Sequence, residues 1–65
     1  MNQKAVYNKV SDEQEARIDN VRELFSCMHD FIDNNCKASR ETSLAITKLE
    51  EAQFWVIKGI SREEN

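Results

Sequence analysis

Proline is absent from this chain and glycine occurs once, as Gly59 near the C-terminus, so nothing breaks a helix between residues 12 and 32. Cysteine is nearly absent too. Cys27 and Cys36 could close only one loop, and the opening stretch "MNQKAVYNKVSDEQEARIDN" has no apolar run of the length a signal peptide needs. The expectation is therefore reduced thiols in a cytosolic compartment. His29 is the single histidine, and Cys27, His29 and Cys36 reproduce neither a CxxC nor an HxxxH pair, which speaks against a zinc site or any other resident cofactor. No apolar run approaches the roughly 18 residues of a membrane span, so no membrane association is expected. Charge of one sign is also missing: nine basic and twelve acidic residues alternate to a net −3, which argues against binding long nucleic acids through a broad basic surface. A small anion is different, because one phosphate needs only one or two well-placed cations.

What is present reads as helix. Ser11 followed by Gln14 matches a capping box, and Asp12, Glu13 and Glu15 add negative charge at the positive end of a helix dipole. Behind them Ile18, Val21, Phe25, Met28 and Ile32 recur at spacings of three and four, widened by Leu24 and Phe31. At about 100° per residue these seven fill an arc of roughly 140°, one buried stripe. The helix is expected over 11–34, a turn over 35–39 in "DNNCKAS", and a second helix over 39–61 capped by Ser39. On that second helix Leu44, Ala45, Ile46, Leu49, Ala52, Trp55, Val56, Ile57 and Ile60 spread over about 220°, with Phe54 outside even that arc. A short connection between long helices implies an antiparallel hairpin, and one partner helix covers only part of so wide an arc. The remainder, including Phe54, Trp55 or Ile57, is expected to meet another chain or stand as a large exposed apolar patch. A chain this short has little core of its own, which points the same way. Residues 1–10, with Ala5, Val6, Tyr7 and Val10, read as a short helix or arm that covers a neighbouring subunit or frays. The fold class is thus all-α: one domain over residues 1–65, a short N-terminal helix plus a hairpin, assembled into a homo-oligomeric bundle.

Residues suited to catalysis are scarce. His29 has no identifiable nucleophile partner and falls on the rim of the first helix's stripe, the position of a partly buried histidine bonded to a neighbour. Glu50 and Glu51, adjacent in sequence, diverge by about 100° and serve better as ion-pair groups than as a carboxylate pair. Groups suited to anions are more plentiful. "SRETS", residues 39–43, opens a helix beside Arg40, Thr42 and Ser43, and a helix N-terminus favours phosphate. Arg40, Ser43, Thr47, Phe54 and Lys58 project toward the side that the apolar arc leaves open. Arg22 and His29 share one edge of the first helix with Ser26 close by, and Tyr7 offers a face on which a base can stack. On spacing alone Tyr7 is a packing residue, Arg22 a surface ion-pair partner and the 39–58 face a solvated one. Composition does not choose between these readings.

The stretch "SRETSLAITKLEEAQFWVIKGI" resembles the helical-hairpin signature of small phage proteins that sponge up immune second messengers. The run Thr47-Lys48-Leu49-Glu50-Glu51-Ala52, with Trp55 three residues on, carries the resemblance together with Arg40, Glu41, Ser43, Leu44, Ala45 and Ile60. Thoeris-blocking members add a β-rich region for which this chain has no room, so it looks like the anti-CBASS type. The resemblance implies a homo-oligomer, typically a hexamer, in the host cell cytoplasm, which is not an enzyme. It would bind cyclic oligonucleotides such as 3′,3′-cyclic GMP-AMP without cleaving them. It also implies that an N-terminal aromatic residue, here Tyr7 with its neighbour Asn8, stacks on a base. A basic residue on the first helix, here Arg22 where one relative has lysine, pairs with phosphate beside Ser26. Some members bind cyclic trinucleotides near the start of the last helix, for which Arg40 and Thr47 are the matching candidates. An oligomeric helical adaptor that docks on a host protein is the competing expectation, and a nucleic-acid-binding protein the third.

Overall fold

The computed structural model describes residues 10–63, which form two helices, α1 (Asp12–Asn35) and α2 (Arg40–Ser61), and no strand among them. The expected arm over 1–10, with Tyr7 and Asn8, falls outside the described residues except for Val10, which is half-buried. The two helices fold back on each other as a hairpin. Each is bounded by the side chains that its termini require. At the start of α1 the Ser11 hydroxyl accepts from the Gln14 N–H at 3.1 Å, and the Gln14 side-chain oxygen accepts from the Ser11 N–H at 2.9 Å, a complete capping box. Cys36 leaves the helix with extended backbone, while its N–H still reaches the Ile32 carbonyl at 2.9 Å. At the start of α2 Ser39 accepts from the Thr42 N–H at 3.1 Å, and the Thr42 hydroxyl donates to the Lys37 carbonyl at 2.8 Å, tying the turn to the first turn of the helix. Lys58 lies in the last turn of α2, where the carbonyl end of the dipole favours a cation.

The seam between the helices is thin. Ile18 is the one apolar side chain among the described residues that is fully covered, while Val21, Phe25 and Ile32 of α1 and Ile46, Leu49, Ile57 and Ile60 of α2 are half-buried. The seven-residue stripe expected to be buried on α1 is therefore corrected: Leu24, Met28 and Phe31 are 66%, 51% and 64% exposed. The reason is geometric. A single neighbouring helix shields the residues aimed along the line between the two axes, and these three lie on one flank of that line. On α2, Phe54, Trp55, Leu44 and Val56 are exposed, in keeping with the wide arc, but Ile57 is not. It is half-buried at the seam beside Ile18, so its place among the residues left for another chain is also corrected.

The deepest side chain among the described residues is polar. Gln14 is 2% exposed, and its amide donates to the carbonyls of Ile60 at 2.7 Å and Glu63 at 3.1 Å. One residue thus caps the first helix with its oxygen and, with its nitrogen, satisfies one carbonyl in the last turn of the second and one just beyond it, fixing the register of the hairpin. Gln14→Leu keeps the approximate volume and leaves both carbonyls without this donor. The expected cost is about 1–3 kcal/mol, read as a lower urea midpoint at fixed protein concentration. An unchanged midpoint would show that the clamp contributes nothing. Outside the clamp Arg17 reaches both Glu13, at 3.2 Å, and Glu63. The hydrogen bond to Glu63 raises the Arg17 pKa, and that same bond holds the Glu63 carboxyl below its ordinary value. Since the carboxyl pKa is lowered on folding, this contact contributes above the ordinary carboxylate range and is lost as pH falls through the lowered value. Its groups face solvent, so its weight in stability is small.

Candidate anion-binding face

The hairpin has two broad faces of opposite character. At about 100° per residue, Glu15, Asp19, Arg22, Ser26 and Asp33 follow one edge of α1, and Ser43, Thr47, Glu50, Phe54, Lys58 and Ser61 follow the edge of α2 on the same side. Two grooves run along this polar face. Near the open end a groove of about 400 Å³ is walled by Glu15, Asp19 and Arg22 on one side and by Ile57 and Ser61 on the other. Near the turn a groove of about 260 Å³ lies among Ile32, Asp33, Cys36, Thr42 and Ser43. The opposite face collects Leu24, Met28 and Phe31 from α1 and Ala45, Ala52 and Val56 from α2, with Trp55 and Leu44 on the back of α2. The hairpin thus separates a polar face of mixed charge from a face of groups suited to burial.

Arg22 lines the larger groove. Its guanidinium sits 3.4 Å from Asp19, and both side chains are largely exposed, so the pair orients the arginine loosely and leaves most of its fork open. Ser26 follows one turn later on the same edge, exposed. Thr47 lies on the facing edge of α2 at nearly the same level, as the Gln14 to Ile60 register requires. Arg22, Ser26 and Thr47 therefore share one face. Arg40 does not join them: it is the first residue of α2, beside the turn, while Arg22 stands 13 residues before the end of α1, roughly 20 Å away along the axis. Tyr7 and Asn8 lie outside the described residues.

The remaining candidates fall into ordinary places. His29 is half-buried at the inner edge of the polar face. Glu51 pairs with Lys48 at 3.8 Å on the surface. Among the described residues no group of three or more His, Cys, Asp or Glu side chains is placed to hold a metal ion, and no helix is long and apolar enough to cross a membrane. Two arrangements were not legible in the sequence. One is the Gln14 clamp, whose long-range acceptors are backbone carbonyls that carry no sequence signal. The other joins Phe54, Trp55 and Lys58: the two rings meet edge to face with centroids 5.1 Å apart, and the Lys58 ammonium lies 5.7 Å from the Phe54 centroid. The four-residue spacing of Phe54 and Lys58 was the available signal for the second.

No curated protein and no solved structure matches this chain. The family model described as "Acb2/Tad1, hairpin domain" matches residues 2–61. With nearly its whole length matched, the chain belongs to the Acb2/Tad1 hairpin family, the anti-CBASS and anti-Thoeris sponges of phage, anti-defence proteins that bind cyclic nucleotides.

Proposed function

We propose that this protein sequesters cyclic dinucleotides such as 3′,3′-cyclic GMP-AMP without cleaving them, in the host cell cytoplasm, and so keeps CBASS effectors from their activator. The observation that carries the reading is Arg22 at the wall of an open groove, held loosely by Asp19 with most of its fork open, on a hairpin of the sponge family. Arg22 pairs with a phosphate, Ser26 offers a hydroxyl beside it, and Tyr7 with Asn8 holds the base. Arg40 and Thr47 serve a second ligand, a cyclic trinucleotide, at the turn end. The roughly 20 Å between Arg40 and Arg22 along the axis favours a separate pocket. The apolar face, open in one hairpin, is covered by further copies of the chain, with six subunits as the assembly. Crevices between rigid helices then hold the ligand in a preorganised site, and sequestration requires affinity without turnover.

The test is recovery of the ligand. Protein in excess is mixed with 3′,3′-cyclic GMP-AMP, and free nucleotide is measured before and after heat denaturation. Depletion followed by full return of intact nucleotide is the expected result; conversion to a linear product would make the protein an enzyme, and no depletion would end the reading. The exposed Leu24, Met28, Phe31 and Trp55 also favour a second reading, an adaptor that docks this face on a host protein. It predicts no binding of any cyclic nucleotide in the same assay.

A further inference from the structure

The outer edges of the two helices carry opposite charge. With the midpoint of each helix's covered arc taken as the direction of its partner, Asp12, Asp19, Glu23 and Asp30 lie within about 55° of the side of α1 that points away from α2, all exposed. No cation of α1 shares that arc: Arg22 falls on the polar face, and Arg17 turns to the other face, where it holds Glu13 and Glu63. On α2 the balance is reversed. Arg40, Lys48, Lys58 and Arg62 lie within about 45° of the side that points away from α1, against Glu51 alone, which pairs with Lys48 at 3.8 Å. Glu41 and Glu50 fall on the two flanks, outside that arc.

The apolar groups on these edges differ in shape as well. The flank of α1 has a depression of about 410 Å³ lined by Asn20, Glu23, Leu24 and Cys27, whereas α2 presents a projecting ring, Trp55, 58% exposed, with Leu44 three turns before it on the same line. The register set by Gln14 and Ile60 fixes the levels of all these groups. A second hairpin laid beside the first in the same orientation brings its Arg62 level with Asp12 and its Lys58 level with Asp19 to within about 3 Å, and sets Asp30 between its Arg40 and Lys48. Its Trp55 starts level with Asn20 and leans toward its own helix N-terminus, which carries the ring to Leu24 and the depression. Glu23 and Glu51 are the one like-charged pair to meet.

We infer that the outer edge of α1 in one copy receives the outer edge of α2 of the next, with Trp55 seated in the depression and the acidic row beside the basic one. A side-by-side two-fold would instead set acid against acid or base against base, which like-charge repulsion opposes. The contact is therefore heterologous: each copy offers a different edge to each of its neighbours, and repetition makes a ring where the rotation closes. The inference rests on the self-association in the proposed function and assigns one contact within it; it makes no claim on the ligand, which the recovery assay tests separately.

Charge reversal tests it on the full chain. Asp19→Lys with Asp30→Lys, and separately Lys48→Glu with Lys58→Glu, should each assemble about tenfold or more weakly than wild type in sedimentation, because matched pairs become like pairs. Mixed in equal amounts, the two variants should regain the wild-type species, since each altered edge complements the other. A second measurement uses native Cys27, which stands level with Lys48 of the next copy. Lys48→Cys in a Cys36→Ser background should give, on mild oxidation, a ladder of disulfide-linked bands beyond the dimer. Glu51→Gln should tighten assembly several-fold. Wild-type assembly by either charge variant alone, a mixture that stays small, or cross-linking that is absent or stops at the dimer would overturn the contact while leaving an oligomeric wild type in place. A monomeric wild type would remove the assembly and this inference together.

Discussion

Leu24→Glu combined with Phe31→Glu is expected to leave monomers at micromolar concentration where the proposed assembly makes the parent chain an oligomer. Both side chains are about two-thirds exposed in the single hairpin, so the substitutions disturb little within one chain. Their effect falls on association. Burying a large aliphatic or aromatic side chain is worth about 1.5–3 kcal/mol, so losing two per subunit weakens assembly by about 3–6 kcal/mol, a hundred- to ten-thousandfold or more. Inserted carboxylates add desolvation to that loss. Sedimentation velocity over a range of concentrations reads the outcome. Helicity should fall with assembly, because a hairpin with one fully covered apolar side chain has little to hold it folded alone. A wild-type chain that sediments as a folded monomer would refute the prediction at its root.

Arg22→Ala loses about ten- to a hundredfold in affinity for a cyclic dinucleotide, the order expected when a charged hydrogen bond worth roughly 1.5–3 kcal/mol is removed. Among the described residues it pairs with Asp19 alone, at 3.4 Å, so helix content and assembly should stay as in the parent. Arg22→Lys should recover much of the loss, since the charge that attracts phosphate remains and only the planar fork is gone. Calorimetry at two salt concentrations separates the two effects: the alanine variant should show a shallower salt dependence, the lysine variant a similar one. Equal affinity for all three proteins would remove Arg22 from the site.

Much of the fold was legible because its signals are local. Ser11 with Gln14 and Ser39 with Thr42 mark helix starts, since only the side chain at that position can reach the free N–H groups of the first turn. The run of residues 33–39, rich in Asp and Asn, marks the turn for similar reasons. The stripe on α1 was read too generously. Periodicity groups Leu24 and Phe31 with Ile18 because it measures angle around one axis, yet burial depends on which part of that arc the partner occupies. Ile57 failed in the opposite sense, assigned outward when it sits at the seam.

For the candidate face, residue type and spacing identified Arg22 with Ser26 on one helix and Arg40 with Thr47 on the other, and the antiparallel register decided that Thr47 lies level with Ser26 while Arg40 stands roughly 20 Å from Arg22 along the axis. Sequence alone determined that the chain is two helices with more apolar surface than one partner can cover, because capping chemistry and the helical period act within a few residues. Only the tertiary structure decided which apolar residues remain uncovered, which cations face a common groove, and that Gln14 binds the far end of the chain. Those depend on the relative rotation and register of two helices, which no short-range pattern specifies.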